Sequence, residues 1–315
     1  MNPLPDKSRL SSLADLLLVT VTVFWGTSFA LVKEALALTD VSNLVFLRFT
    51  LACLLLLPVA WLRRADFRAG VLKPGLICGL LLFGAFASQA LGLVHTSASR
   101  SGFITGLNVI LVPVFSLFLL RRAPARTALA GALTAFAGLY LLTAGGGPGM
   151  AGFNRGDGWT FVCAVLIAAH ILALGRFSPG RDSFWLAFVQ LAILSALSLL
   201  WAGAEGKLNL ALGKEVYLAA AFLAASCTIF AYLAQTWAQK HTTPTRTAII
   251  FTLEPVFAAL FAWWWLGDRL TRSGLIGGGL IVAGLILAEI KPQAWNGPAA
   301  GIGSGPARAA QPDQP

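Results

Sequence analysis

Glu254 stands inside the run 246–266, where the only other charge is Arg246 at its start. A carboxyl in such apolar company is costly, so it is a functional candidate by default. It can bind a proton or a substrate amine, or it can be a hydrogen-bonded structural group. Pro255 follows it. Proline has no N–H to give, which frees the carbonyl of Phe251 and favours a kink that Glu254 would either exploit or steady. Asn108 occupies the matching place 146 residues earlier. Together with Ser101 and Thr105 it follows i, i+4, i+7 spacing, which is one polar stripe on a helix. Such a stripe faces a cavity or bonds a neighbouring helix. Gln89 and Gln235 are matched at the same offset. Each can donate and accept, as an uncharged or zwitterionic ligand requires, with a bond between helices as the alternative. His170 lies deep in the run 158–175. Imidazole exchanges protons near neutral pH, although a lone histidine in an apolar helix also serves as a satisfied packing residue. Arg48 is an anion anchor, the partner of an acid, or a side chain that snorkels outward. Trp25, Thr27 and Ser28 interrupt the first run with a polar and aromatic patch that either stacks on a ligand or packs against a helix.

Composition restricts the elements that hold these residues. The chain is 57% hydrophobic and 11% charged, against about 25% charged for an average soluble protein. Ten apolar runs approach or exceed the roughly 20 residues that span a bilayer. They are 14–34, 43–61, 75–94, 100–120, 127–144, 158–175, 184–203, 215–236, 246–266 and 273–290. None alternates polar and apolar as barrel strands do. Helices satisfy their own backbone in lipid, so an all-α polytopic bundle with ten transmembrane helices is expected. The first run is too long for a signal peptide and leads into the others. Cys53, Cys78, Cys163 and Cys227 all fall inside runs without a CxxC partner, so they read as buried apolar residues. The net charge of +10 does not call for nucleic acid, because the positive-inside rule accounts for it. With both ends in the cytoplasm, 15 Lys and Arg residues fall in inside loops and 7 in outside loops, with Arg48 in a span.

The chain also repeats itself. At the offset of 146, residues 85–141 align without a gap on 231–287: His95 with His241, Arg100 with Arg246, Leu107 with Leu253, Arg126 with Arg272, and Gly131 and Gly138 with Gly277 and Gly284. Each half holds five runs. An odd number inserts the second half upside down, so two inverted five-helix repeats are expected, residues 13–144 and 158–290. Arg121-Arg122 after the fourth run has Gly267-Asp268 as its counterpart after the ninth, as loops on opposite sides would. Residues 1–12 read as a cytoplasmic tail, 145–157 as a Gly-rich outside loop and 291–315 as a disordered cytoplasmic tail. The glycine pairs are seven apart, so each pair lies on one helix face and allows close approach to a neighbour. His95 and His241, with Arg100 and Arg246, sit at short turns as gates or as caps. Trp263, Trp264 and Trp265 suit an interfacial belt.

The order of Phe24-Trp25-Gly26-Thr27-Ser28-Phe29 and Lys33, then Leu47-Arg48-Phe49, then Leu253-Glu254-Pro255-Val256-Phe257 and Gly267-Asp268 resembles a drug/metabolite transporter of the EamA type over residues 13–290. The resemblance implies two halves around a central cavity and carriage, often export, of small metabolites such as amino acids or of drug-like compounds. The first half departs from it with Leu107-Asn108-Val109 and a proline only at Pro113, so the halves are not expected to bring identical chemistry. Alternating access around a midplane site follows from such a frame. The expected partners are a small-molecule substrate and the lipid bilayer of the plasma membrane, with protons as the candidate coupling ion; oligomeric state stays open. No cofactor is expected; primary active transport is disfavoured because no GxxxxGK[ST] loop is present, and enzyme activity is not expected because the three histidines are far apart and only Glu254 is an obvious deep carboxyl. The competing classes are a membrane-embedded enzyme and a scaffold.

Overall fold

The computed structural model describes residues 7–96, 98–119, 124–144, 154–266 and 271–289, and these are helical with short turns between. The helices are α1 (Lys7–Leu36), α2 (Val41–Leu62), α3 (Leu72–His95), α4 (Ala98–Gly106), α5 (Asn108–Leu119), α6 (Arg126–Ala144) and α7 (Arg155–Phe177). After them come α8 (Ser183–Ala204), α9 (Lys214–Ala224), α10 (Ala231–Ala238), α11 (Pro244–Phe251), α12 (Leu253–Leu266) and α13 (Arg272–Glu289). A π-wound turn, Ala225–Phe230, joins α9 to α10. Among the described residues seven helical stretches are long and apolar enough to cross a membrane, and α6 and α13 supply two shorter apolar helices. The stretch 244–266 is apolar too but is split at Thr252, and 98–119 is split at Leu107. The Arg121-Arg122 and Gly267-Asp268 pairs, the Trp265 and Arg100 side chains and the tail 291–315 lie outside the described residues.

Local chemistry sets the helix starts. Asn154 accepts from the Asp157 N–H at 2.9 Å while the Asp157 carboxylate accepts from the Asn154 N–H at 2.9 Å, a reciprocal cap for α7. The expected loop 145–157 therefore ends earlier, since Arg155–Asp157 already form the first turn of α7. Asp182 caps α8 by accepting from the Trp185 N–H, and Thr243 caps α11, with Pro244 in the first turn where no N–H is needed.

Small residues decide which helices touch. A Cβ on Gly131 would stand 2.5 Å from the Gly284 carbonyl oxygen, and one on Gly138 would stand 2.5 Å from that of Gly277. Contact runs 131 to 284 and 138 to 277, so α6 and α13 cross antiparallel with almost no side chain between them. Elsewhere α3 lies along α7, α2 and α3 pack on α8, and α1 packs on α10 and α12. One apolar core joins α1, α5, α7, α10 and α11 through Leu18, Ile171, Ala248 and Phe251. A second joins α2, α3, α8 and α10 through Phe49, Leu82, Leu194 and Tyr232. The four cysteines are free thiols, with Cys53 half-buried and the others buried.

Candidate functional site

Between these cores lies a cavity of about 120 Å³, against roughly 10–15 Å³ for a single water. Trp25, Ser28, Arg48, Gln89, Thr105, Asn108, His170, Gln235 and Glu254 all line it. The nine come from α1, α2, α3, α4, α5, α7, α10 and α12, and so from both matched segments of the sequence. The rest of the wall is apolar or aromatic and includes Phe49, Phe86, Ile167, Tyr232 and Phe251.

Two helix interruptions bring polar groups here. α4 ends at Gly106 and α5 begins at Asn108; α11 ends at Phe251 and α12 begins at Leu253. Asn108 and Glu254 therefore sit in the first turns of α5 and α12, where backbone N–H groups lack helical partners. The expected single stripe of Ser101, Thr105 and Asn108 crosses this break, and only its last two members reach the cavity. Ser101 is buried with its hydroxyl 3.5 Å from that of Thr160, whereas Thr105 and Asn108 face the cavity. Proline is not at the break. Pro255 lies within the first turn of α12 and the interruption falls before it, at Thr252, whose hydroxyl donates to the Ile249 carbonyl at 2.6 Å.

Among the described residues Arg48 pairs with no acid, and it is buried rather than snorkelling. Its Nε donates to Thr228 Oγ1 at 2.8 Å and its Nη2 to the Cys227 carbonyl at 3.0 Å. Its guanidinium also lies about 5 Å from the ring centres of Phe49 and Phe86. Trp25 Nε1 donates to the same Cys227 carbonyl at 3.0 Å. Cys227 lies in the π-wound turn, so one irregular turn collects donors from α1 and α2 beside the cavity, the setting in which π-bulges recur at functional sites. Glu254 makes no ion pair or side-chain hydrogen bond among the described residues, and it shares the cavity lining with Arg48.

His170 is not alone. Its Nε2 is 2.9 Å from Gln190 Oε1, and Gln190 Nε2 donates to Thr236 Oγ1 at 3.2 Å. Gln235 Nε2 donates to Gln239 Oε1 at 3.1 Å, and Gln239 Nε2 donates to the Ile171 carbonyl at 2.8 Å. Ser28 returns its hydroxyl to the Trp25 carbonyl, and Thr27 to that of Phe24.

The cavity is asymmetric along the bundle. Its lining continues to Val32, Leu36, Val41 and Leu44 around the α1–α2 turn. The opposite end is shut. There Arg246 donates to the Asp15 carboxylate, tying α11 to α1, and Pro244 presses on the place where a Gly175 Cβ would be. The Trp237 and His241 rings meet at a tilt, with centres 4.6 Å apart, at the same end. Arg63 pairs with Asp182 at 2.8 Å in the nearby turn. Burial works against the Asp182 charge, but the Trp185 N–H and the Arg63 guanidinium outweigh it and hold its carboxyl below the usual carboxylate range.

Sequence reasoning passed over Asp15, Gln190, Gln239 and Tyr232. Asp15 and Gln190 were within reach of the rule applied to Glu254, that a polar group in a span needs a reason, whereas Gln239 falls beyond the run 215–236. Tyr232 had no such signal, since an aromatic residue in an apolar run is ordinary.

The comparisons with known proteins agree with this architecture. A family model described as the EamA-like transporter family matches residues 12–144 and again 154–289. An uncharacterized transporter of Archaeoglobus fulgidus is 33% identical over 284 residues, covering 88% of this chain and 86% of that protein. The uncharacterized transporter YyaM of Bacillus subtilis is 23% identical over 286 residues, covering 87% and 92% of the two chains. A protein crystal structure superposes with a TM-score of 0.74 at 23% identity, covering 88% of this chain and 96% of that one, a likeness of fold. With two tandem matches that span nearly all of the helices described above, the chain is an integral membrane protein that belongs to the EamA-like transporter family.

Proposed function

We infer that the protein is a secondary transporter of small organic solutes, amino-acid-like or drug-like, that works by alternating access in the plasma membrane. The observation that carries this reading is the convergence of nine polar or aromatic residues, drawn from both repeats, on one cavity inside an otherwise apolar bundle. Two of the contributions are repeat partners, Asn108 with Glu254 and Gln89 with Gln235. Ten spans in two inverted five-helix halves are the frame for this reading. The antiparallel crossing of α6 and α13 supports it, because helices matched by an in-plane pseudo-two-fold must run in opposite directions where they meet. With both termini in the cytoplasm, the sealed end that holds Asp15 and Arg246 faces inward and the cavity faces outward. Export is the proposed direction, and Glu254 is the proposed proton-coupling group.

Purified protein in sealed vesicles tests this. A solute that stabilises the protein to heat should also cross the vesicle membrane in a protein-dependent way. Glu254→Gln should abolish flux driven by a proton gradient while exchange of solute for solute continues. Coupled flux that survives unchanged would remove Glu254 from that role. Absence of protein-dependent flux for every stabilising solute would remove the transport reading.

A further inference from the structure

The hydrogen-bond chains around the cavity settle which polar atoms are left over. A backbone carbonyl can only accept. The Thr105 carbonyl accepts from Asn108 Nδ2 at 3.0 Å, so the Asn108 amide is fixed with its nitrogen toward the backbone and Oδ1 as the remaining group. The Ile171 carbonyl accepts from Gln239 Nε2, which makes Gln239 Oε1 an acceptor and Gln235 Nε2 its donor. Gln235 is thereby left with Oε1. Both oxygens are buried and make no hydrogen bond among the described residues, on residues only 6% and 1% exposed. Glu254 brings a carboxyl to the same lining and makes no side-chain hydrogen bond among the described residues. On the donor side, Arg48 is already engaged by Thr228 and the Cys227 carbonyl, and Trp25 by the same carbonyl.

A buried acceptor with no donor is unfavourable, and a ligand that supplies the donor recovers the loss. Asn108 Oδ1, Gln235 Oε1 and the Glu254 carboxyl are acceptors on residues of one small lining, which Gln89 and Thr105 share, and an ammonium group has three N–H bonds to give. Resting on the transporter reading above, we propose that the cavity selects a free primary ammonium group, with Glu254 supplying the charge and Asn108 Oδ1 and Gln235 Oε1 counting its N–H donors. The aromatic wall of Trp25, Phe86, Tyr232 and Phe251 takes the apolar body of the ligand. The rival use of that wall is a cage for a methylated cation held by ring faces, for which N–H donors are irrelevant.

A methylation series separates the two, because charge stays constant while donors are removed. The probes are 2-phenylethylamine and its N-methyl, N,N-dimethyl and N,N,N-trimethyl forms, all cations at pH 7. Affinity is read by thermal shift and by competition on the purified protein. The primary amine should bind about tenfold or more tighter than the trimethyl form, with the others in order between. The near-isosteric Asn108→Leu and Gln235→Met should each compress this ratio several-fold and weaken the primary amine more than the trimethyl form. Glu254→Gln should weaken all four alike. Equal or tighter binding of the trimethyl form overturns the proposal in favour of the aromatic cage. If a variant does not fold, the order of the wild-type series decides on its own. If no amine binds while vesicles still carry another solute through this protein, the ammonium proposal fails and the transport reading stands.

Discussion

The crossing of α6 and α13 gives the sharpest prediction about what joins the two halves. Gly138→Ala adds one methyl whose carbon would stand 2.5 Å from the Gly277 oxygen and 2.7 Å from the Ile281 nitrogen. A carbon and a carbonyl oxygen are comfortable at about 3.3 Å or more, so the helices must part by roughly 0.8 Å at that point. Overpacking of this kind costs about 1–3 kcal/mol, whereas replacing glycine by alanine in a helix returns about 1 kcal/mol. The net expectation is a loss of about 1 kcal/mol. The reverse substitution is equivalent, since a Gly277 Cβ would meet the Gly138 oxygen at 2.5 Å. One separation relieves both clashes, so the double alanine variant should be less destabilised than the sum of the singles by about 1 kcal/mol. Melting of the purified protein in detergent measures all four corners of the cycle. Stabilisation by either single change, as helix propensity alone demands, would refute the close antiparallel contact. Strict additivity in the double variant would refute its reciprocity.

Three further perturbations follow from the site. Asp15→Asn removes the carboxylate charge that faces the largely buried Arg246 across α1 and α11, and should favour opening of the sealed end by about tenfold or more, roughly 1.4 kcal/mol. Faster alkylation of the cavity thiol Cys163 from the Asp15 side, with the other cysteines replaced, reads this, and an unchanged rate would show that the pair does not hold the gate. Arg48→Lys keeps the charge but not the fork that spans Thr228 and the Cys227 carbonyl; it should destabilise by about 1–3 kcal/mol, and a variant as stable as wild type in a detergent melt would contradict that tie. Asp182→Asn removes a carboxylate whose folded pKa lies below its unfolded value. That group's stabilisation is present above about pH 4 and is lost as pH falls through the folded pKa, so the variant should be less stable at neutral pH and show a shallower acid limb in melts from about pH 6 to 3.

Much of the site was legible because charge and hydrogen-bonding capacity are rare in apolar helices. Glu254, Arg48, His170 and the two matched glutamines stand out for that reason, and all of them line the cavity. Their partners were not legible. Arg48 invites an acid, and the protein answers with a carbonyl of a π-wound turn and two aromatic faces. Nothing in Ala225–Phe230 marks that winding, since its residues are ordinary for a buried helix. The glycine faces of α6 and α13 were plain from their spacing, but which helix each met was a tertiary fact.

The two helix breaks carry this point further. Proline alone would place an interruption in the second half and none at the matching place in the first, where Pro113 lies inside a continuous α5. Yet both stretches break within a residue of corresponding positions, at Leu107 and Thr252. Proline is therefore not their common cause. Pro255 occupies a first-turn position where its missing N–H goes unused, so it accommodates a break made by other forces. Those forces are shared by the halves. At each break a carbonyl one turn upstream takes a substitute donor: Ile249 from the Thr252 hydroxyl, and Thr105 from the Asn108 amide. A residue in the first turn of the next helix is held at the cavity wall in both cases, with Asn108 and Glu254 carrying different charge at matched places. The repeat preserves the backbone irregularity and varies the side chain, which is how one scaffold can present a neutral acceptor from one half and an acid from the other.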